Sequence, residues 1–174
     1  AHEETNTLPL TIGKGLQSMD FKIAIPEDLA HALKVFQRFG LHHGHPIEVE
    51  VKSTGEKVKV APRDMLAALM PDPKTLSDKA KGRASLAVVV RGLKDEAKAG
   101  WIFWMTLDHQ ECYRKYGFNA TSYPVGAPMA MAAEMIARGE ISRRGAFPLE
   151  ILDPAPFLSR LPEYGIVIQE RRLA

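Results

Sequence analysis

Apolar and polar residues alternate most cleanly between positions 47 and 60. Ile47, Val49 and Val51 interleave with Glu48, Glu50 and Lys52, and Val58 and Val60 with Lys57 and Lys59. Ser53-Thr54-Gly55-Glu56 supplies turn residues between the two runs, so the pattern predicts a hairpin with one charged face. The mixed signs on that face allow opposite charges to stand across the strands. Two other runs, Ser85 to Arg91 and Gly100 to Leu107, are apolar at odd and even positions alike. Such runs predict strands covered on both sides at the centre of a sheet. The charged segment Lys94 to Lys98 joins them as an exposed loop. Leu16 to Ile25 and Gly165 to Ile168 read as further strands.

Helical spacing appears after prolines. Pro26 opens a helix with Glu27 and Asp28 in its first turn, Leu29, Leu33 and Phe36 on one face, and Gly40 as its stop. Pro62 opens a short helix, Arg63 to Met70. Asp153 caps a helix that begins at Pro154 and packs Phe157, Leu158 and Leu161 inward. Between Tyr123 and Ile141, Pro124, Gly126 and Pro128 form a turn, Pro128 takes the first helical position, and Gly139 closes the helix. Glu134 and Arg138 are its only charges, an i,i+4 pair. A helix apolar around most of its circumference is one held between two layers. The order of elements predicts an α+β fold with a mixed, largely antiparallel sheet covered by helices. Residues 1–15 read as a linker or a strand carried over from an upstream domain, and 16–174 as the folded domain.

Composition narrows the function. The chain has 174 residues, enough for one core. It carries 23 basic and 21 acidic residues, net +2. That balance, with basic residues only in pairs, argues against nucleic acid and membrane surfaces as partners. No run is long enough to span a bilayer. The first residues, Ala1-His-Glu-Glu-Thr, are the opposite of a signal peptide. A first residue other than Met points to a processed or partial chain. One cysteine, Cys112, fits a reducing cytoplasm.

Several segments carry candidate chemistry. Gly13-Lys-Gly-Leu-Gln-Ser18 has the outline of a dinucleotide fingerprint, but a true one follows a strand and opens a helix, so a plain turn is the reading. His42, His43 and His45 cluster, yet a metal site needs three or four converging ligands, and we assign none. Cys112 has His109 one helical turn before it and no third partner, which favours a structural thiol over a nucleophile. Asp108 and His109 follow an apolar strand and either face a pocket or cap the next element. Tyr113, Tyr116 and Tyr123 offer hydroxyls or simply pack. Asn119 to Gly126 leads into a helix whose N-terminus suits a carboxylate or phosphate.

Five segments together resemble the C-terminal catalytic domain of the saccharopine dehydrogenase family, which includes lysine 6-dehydrogenases and carboxynorspermidine-type dehydrogenases. They are Asp20-Phe-Lys-Ile with Gly40-Leu41; Val60-Ala-Pro-Arg-Asp-Met-Leu66; Val88-Val-Val-Arg-Gly92; Gly126-Ala-Pro-Met-Ala-Met-Ala-Ala133 with Gly139-Glu-Ile141; and Gly145-Ala-Phe-Pro-Leu-Glu150 with Phe157-Leu158. The resemblance implies an oxidoreductase of amino-acid metabolism that uses NAD or NADP. Hydride would pass between nicotinamide and the C–N bond of a small amine or amino acid. The cofactor would be bound mainly by an N-terminal Rossmann domain absent from this chain, so the chain alone would be inactive. It would form the substrate-side wall and the homodimer contact. Asp108, His109, Asn119, Thr121, Tyr123, Gly126 and Pro128 become the candidates to face substrate or cofactor. The chain has Ile23 to Glu27 where many members carry Arg-Tyr-Pro-Gly-His, and Pro124-Val-Gly126 where Thr-Thr-Gly is usual. The resemblance therefore assigns no catalytic residue. The competing readings are a non-catalytic ligand-binding or dimerisation module and a metal-dependent hydrolase using the three histidines.

Overall fold

A computed structural model describes residues 2–173. The chain is α+β and divides into two compact units, Asp20–Pro73 and a second that joins the residues up to Met19 to those from Lys74 onward. Each unit holds one sheet, and every strand pair among the described residues is antiparallel.

In the Asp20–Pro73 unit, α2 (Glu27–Arg38) starts after Pro26 and ends at Gly40, whose φ of 73° suits a residue without Cβ. The Leu41 N–H then reaches back to the Phe36 carbonyl at 2.9 Å and closes the helix end. Strands β1 (Ile47–Val51) and β2 (Glu56–Val60) form the expected hairpin. Their register sets Glu48 opposite Lys59 and Glu50 opposite Lys57, and Val49 opposite Val58. Lys57 also pairs with Glu48 at 2.9 Å. Helix α3 (Pro62–Leu69) begins at its proline and ends ahead of Pro71.

The second unit begins with a correction. Helix α1 (Glu4–Thr11) occupies residues read as linker or strand. Its signal is hidden because Pro9 lies inside it and it has no amphipathic stripe. It stops at Gly13, Lys14 and Gly15, all with positive φ. Residues 16–25, expected to form a strand and divided between the two units, form no regular element.

Strands β3 (Arg83–Lys94) and β4 (Ala97–Asp108) are longer than their apolar cores suggested. Pairing runs to Lys94 and Ala97, leaving only Asp95 and Glu96 as the turn, both left-handed at φ 52° and 64°. A two-residue turn with both residues left-handed matches the twist of the flanking strands. Helix α4 (His109–Tyr116) follows directly, then α5 (Tyr123–Ala137) and α6 (Pro154–Arg160). The last strand, β5 (Gln169–Leu173), lies beyond the expected Gly165–Ile168, because Gly165 instead takes φ 71° to end a 3-10 turn over Leu161–Tyr164. It pairs with β4, giving the order β3-β4-β5.

The core gathers Ala127, Met131 and Met135 of α5 with Leu161 and Ile166. Met105, Tyr123, Ile141, Phe157 and Tyr164 pack around it. Positions 127, 131 and 135 repeat every four residues and so share one face of α5. A bidentate Arg160–Glu140 pair at 2.7 and 2.9 Å ties α6 to the chain after α5. The cover expected over both faces of the apolar strands is incomplete. Within this unit the core meets β4 at Met105, while Leu86, Val88, Val89, Val90 and Leu93 of β3 stay exposed.

Candidate functional site

The sequence-predicted candidates fall into two groups set by α4. Asp108 and His109 stand at its start. Tyr123 stacks on Tyr116 at its end. Eight residues at 1.5 Å each put these groups about 12 Å apart along the helix axis.

At the start, Asp108 is the N-cap. Its Oδ1 accepts from the N–H groups of Gln110 and Glu111, each at 3.0 Å. The Glu111 N–H bond is the main cause that holds the Asp108 carboxyl below its usual range, with the Gln110 N–H and the charges of Arg83 and Arg114 adding to it. The cap reading of Asp108 thus accounts for the side chain. The His109 N–H donates to the Gly82 carbonyl at 3.0 Å. Its ring Nδ1 is buried with no hydrogen-bond partner. Gln110 Nε2 donates to the carbonyls of Asp78 and Ala80, both at 2.8 Å, and so fastens the polar segment before β3 to α4.

At the end of α4, the rings of Tyr116 and Tyr123 stack at 3.8 Å with 8° between planes. The Tyr123 hydroxyl donates to the Tyr164 carbonyl at 2.7 Å. Burial, helped by the neighbouring Tyr116 hydroxyl, pushes the Tyr123 pKa up to about 12. Lys115 hydrogen-bonds the Tyr116 hydroxyl, which raises the Lys115 pKa. A methyl group on Gly165 would collide with that same hydroxyl, so Gly165 serves both the left-handed turn and the space Tyr116 needs. Burial also raises Tyr164, and a hydrogen bond to Glu134 adds to the effect.

Asn119 caps the turn that leads into α5. Its Oδ1 accepts from the N–H groups of Thr121 at 3.0 Å and Ser122 at 3.1 Å, and its carbonyl accepts from Tyr123 at 2.9 Å. Donors that a free helix N-terminus would offer an anion are therefore engaged within the chain. Thr121 is exposed. Gly126 and Pro128 need correction as turn formers. Helix α5 starts at Tyr123, Pro124 takes the early position where a missing N–H costs nothing, and Gly126 and Pro128 lie inside the helix. A Cβ on Gly126 would meet nothing within 4 Å. The predicted stop at Gly139 is present, with φ 74° and a bond from the Glu140 N–H to the Met135 carbonyl at 2.9 Å.

Acid–base chemistry near neutral pH needs a group whose pKa lies near neutrality. Every resolved shift around α4 and α5 points away from it. Asp108 is lowered, and Tyr123, Tyr164, Lys115 and Cys112 are raised. Cys112 is 3% exposed, and burial pushes its thiol up, so it is a packed thiol rather than an activated one. His42 and His43 lie ring to ring at 4.0 Å, while His42, His43 and His45 are exposed and bring no third ligand to a common point. Among the described residues the group with metal-ligand spacing is His2, Glu3 and Glu4 in the N-terminal turn. The Gly13–Gly15 segment follows a helix and precedes irregular chain, the reverse of a dinucleotide cradle. The described residues hold no parallel strand pair at whose switch point a nucleotide would sit. They do not fit a nicotinamide dinucleotide site of that kind. No helix among them is long and apolar enough to cross a membrane.

Lys115 and Tyr164 escaped the sequence reading, and Gly165 was read as the start of a strand rather than as the end of a turn. Tyr-Gly at 164–165 carried a usable signal, since Gly after a short Pro-opened turn suits a left-handed stop. Lys115 carried none, because a lone Lys on a helix is ordinarily a solvated residue.

Comparison with known proteins matches residues 1–166 to the saccharopine dehydrogenase C-terminal domain family, and the chain belongs to that family. It is 28% identical over 165 residues to carboxyaminopropylagmatine dehydrogenase of Synechocystis, covering 95% of this chain and 40% of that protein. It is 28% identical over 166 residues to carboxynorspermidine synthase of Vibrio alginolyticus and 26% identical to that of Vibrio cholerae, in each case over 95% of this chain and 38% of the relative. The chain thus spans about 40% of the length of the curated relatives it matches.

Proposed function

We propose that this member of the saccharopine dehydrogenase C-terminal domain family is the substrate-side domain of an NAD- or NADP-dependent oxidoreductase acting on the C–N bond of a carboxylated polyamine or related amino acid. The observation that carries the reading is the match of 95% of the chain to proteins named for carboxyaminopropylagmatine and carboxynorspermidine. The cofactor supplies hydride exchange with a carbon–nitrogen double bond, and a nucleotide-binding segment outside this chain holds it. Helix α5 supports that division. Its outer side bears exposed Val125, Met129 and Ile136, a surface suited to another domain. The lone buried cysteine fits a reducing cytoplasm, and the working unit is a homodimer.

Asp108, Asn119 and Tyr123 act as caps and struts in this reading. His109 takes the substrate-facing role, because its buried ring nitrogen lacks a partner that a ligand amine or carboxyl would supply. Thr121, Gly126 and Pro128 border the domain joint. The chain alone neither binds the dinucleotide tightly nor turns over. The test uses the full-length protein, with nicotinamide absorbance followed against carboxylated polyamines, saccharopine and lysine. Turnover of the first class, lost when upstream sequence is removed, supports the reading; micromolar NAD(P) binding by this chain alone in calorimetry contradicts it. His109→Asn is expected to lower kcat/KM at least ~tenfold with little change in thermal midpoint. The second reading, a non-catalytic ligand-binding or dimerisation module, draws on the use of Asp108, Asn119 and Tyr123 as caps and struts within the fold, and no cofactor-dependent turnover by the full-length protein would favour it.

A further inference from the structure

The far end of the β3-β4 hairpin gathers cations that the fold does not neutralise. Lys94, Gly92 and Val90 of β3 stand opposite Ala97, Ala99 and Trp101 of β4, and Arg172 of β5 also stands opposite Trp101. Cross-strand partners share a face of a sheet, as do alternate residues along a strand, so all of these lie on one face. Gly92 and Ala99 have almost no side chain. They leave a gap between the row of Lys94 and the row of Trp101, and a cavity of about 340 Å³ lies there. The Lys94 Nζ reaches across the gap to 5.7 Å from the centre of the Trp101 ring. The Arg172 Cζ approaches the same ring to 5.8 Å.

Two cations therefore share one ring. The ring attracts each through its quadrupole but brings no negative charge of its own. Lys98, on the opposite face by alternation, borders the same cavity. Among the described residues, Lys94, Lys98 and Arg172 pair with no carboxylate. Asp95 is the single acid in the lining, so three cations against one acid leave two positive charges.

That excess suits a compact dianion. A carboxylate brings one negative charge, whereas a phosphate group brings about two near neutral pH. The size agrees, since small-molecule cavities begin at roughly 300 Å³. We infer that this cavity binds a phosphate group, free or carried by a small ester, with Lys94 and Arg172 as its charged partners and Trp101 holding both in place. The site is separate from the one around His109. Trp101 and Asp108 are seven residues apart on β4. At strand spacing that is ~23 Å, beyond the reach of one small substrate. The inference therefore stands apart from the oxidoreductase reading.

Calorimetry on the full-length protein tests it, with inorganic phosphate, glycerol phosphate and acetate as probes at matched ionic strength. The phosphates should bind with a Kd below ~1 mM. Acetate, with one charge, should bind at least ~tenfold more weakly. Lys94→Ala and Arg172→Ala should each weaken phosphate binding at least ~fivefold. Both side chains are exposed, so the thermal midpoint should not move. Arg171 stands opposite Ile102 and so lies on the other face. Arg171→Ala removes the same charge and should change binding less than ~twofold, because it leaves the cavity intact. Tighter binding of glycerol phosphate assigns the site to an ester and tighter binding of inorganic phosphate to the free ion; either supports a phosphate site. Equal losses in all three variants would reduce it to diffuse charge attraction and overturn it. So would acetate binding as tightly as phosphate, or phosphate binding that neither Lys94→Ala nor Arg172→Ala weakens. Absence of phosphate binding up to ~10 mM overturns it outright.

Discussion

Helix α5 has two apolar sides with opposite fates. Met131 is 1% exposed, while Met129, half a turn away, is 69% exposed. The same residue type in the same helix sits in a close-packed core on one side and in solvent on the other. Leu161 and Ile166 cover the inner side. Val125, Met129 and Ile136 on the outer side have no such cover. Hydrophobic residues are therefore covered within the unit on one side of α5 and left exposed there on the other. β3 repeats the second situation at a sheet edge.

Cutting Met131 back probes the finished side and should give the largest effect. Met131→Ala removes buried methylenes and leaves a cavity beneath α5. Core truncations of this kind cost about 2–5 kcal/mol. The expected result is a lower urea midpoint with an unchanged denaturant slope. A loss under 1 kcal/mol would mean that the inner side is as loosely packed as the outer one.

Tyr123 lies where the core meets the α4–α5 turn, so its effect is intermediate. Tyr123→Phe keeps the ring stack on Tyr116 and deletes the hydrogen bond to the Tyr164 carbonyl. The expected cost is about 1 kcal/mol. The pH dependence separates hydroxyl from ring. The folded pKa is raised from 10.0 to about 12, so the protonated phenol is the form the folded state favours. Its stabilisation is fully present below pH 10 and is lost as pH rises from 10 toward 12. The stability gap between wild type and Tyr123→Phe should shrink over that window. A gap that stays constant would show that the hydroxyl contributes nothing through its proton.

Legibility followed the same division. The hairpin β1-β2 was readable as two alternating strands, because alternation and a Gly turn are local signals, although Glu56, read as turn, already pairs with Val51. So was the Gly139 stop of α5. The start of α5 was misread by one turn, since Pro124 and Pro128 both satisfy the rule for early helical prolines and only the Asn119 cap decides between them. Helix α1 was missed because nothing periodic marks it. The uncovered state of β3 was beyond reach, because a run apolar on both faces states that cover is required but not which chain supplies it. Candidate residues were legible as positions and not as roles. Asp108 and Asn119 have the chemistry of ligands, and the Oδ1 of each is taken by backbone N–H groups two and three residues on.

The smallest effect on stability should come from the outer side of α5, and its smallness is informative. Met129→Lys places a charge on a position already in water, so this chain should keep its stability within about 0.5 kcal/mol, as exposed substitutions do. Lys also has good helix propensity, so α5 itself is not weakened. If the outer side meets a nucleotide-binding domain, the same substitution in the full-length protein leaves a charge in an apolar joint. Activity and the thermal midpoint of the full-length protein should then both fall, although the short chain is unmoved. Equal, negligible effects in both would mean that the outer side of α5 faces water in the whole protein. A large loss in the short chain would mean that Met129 is packed there, and the contrast with Met131 would disappear.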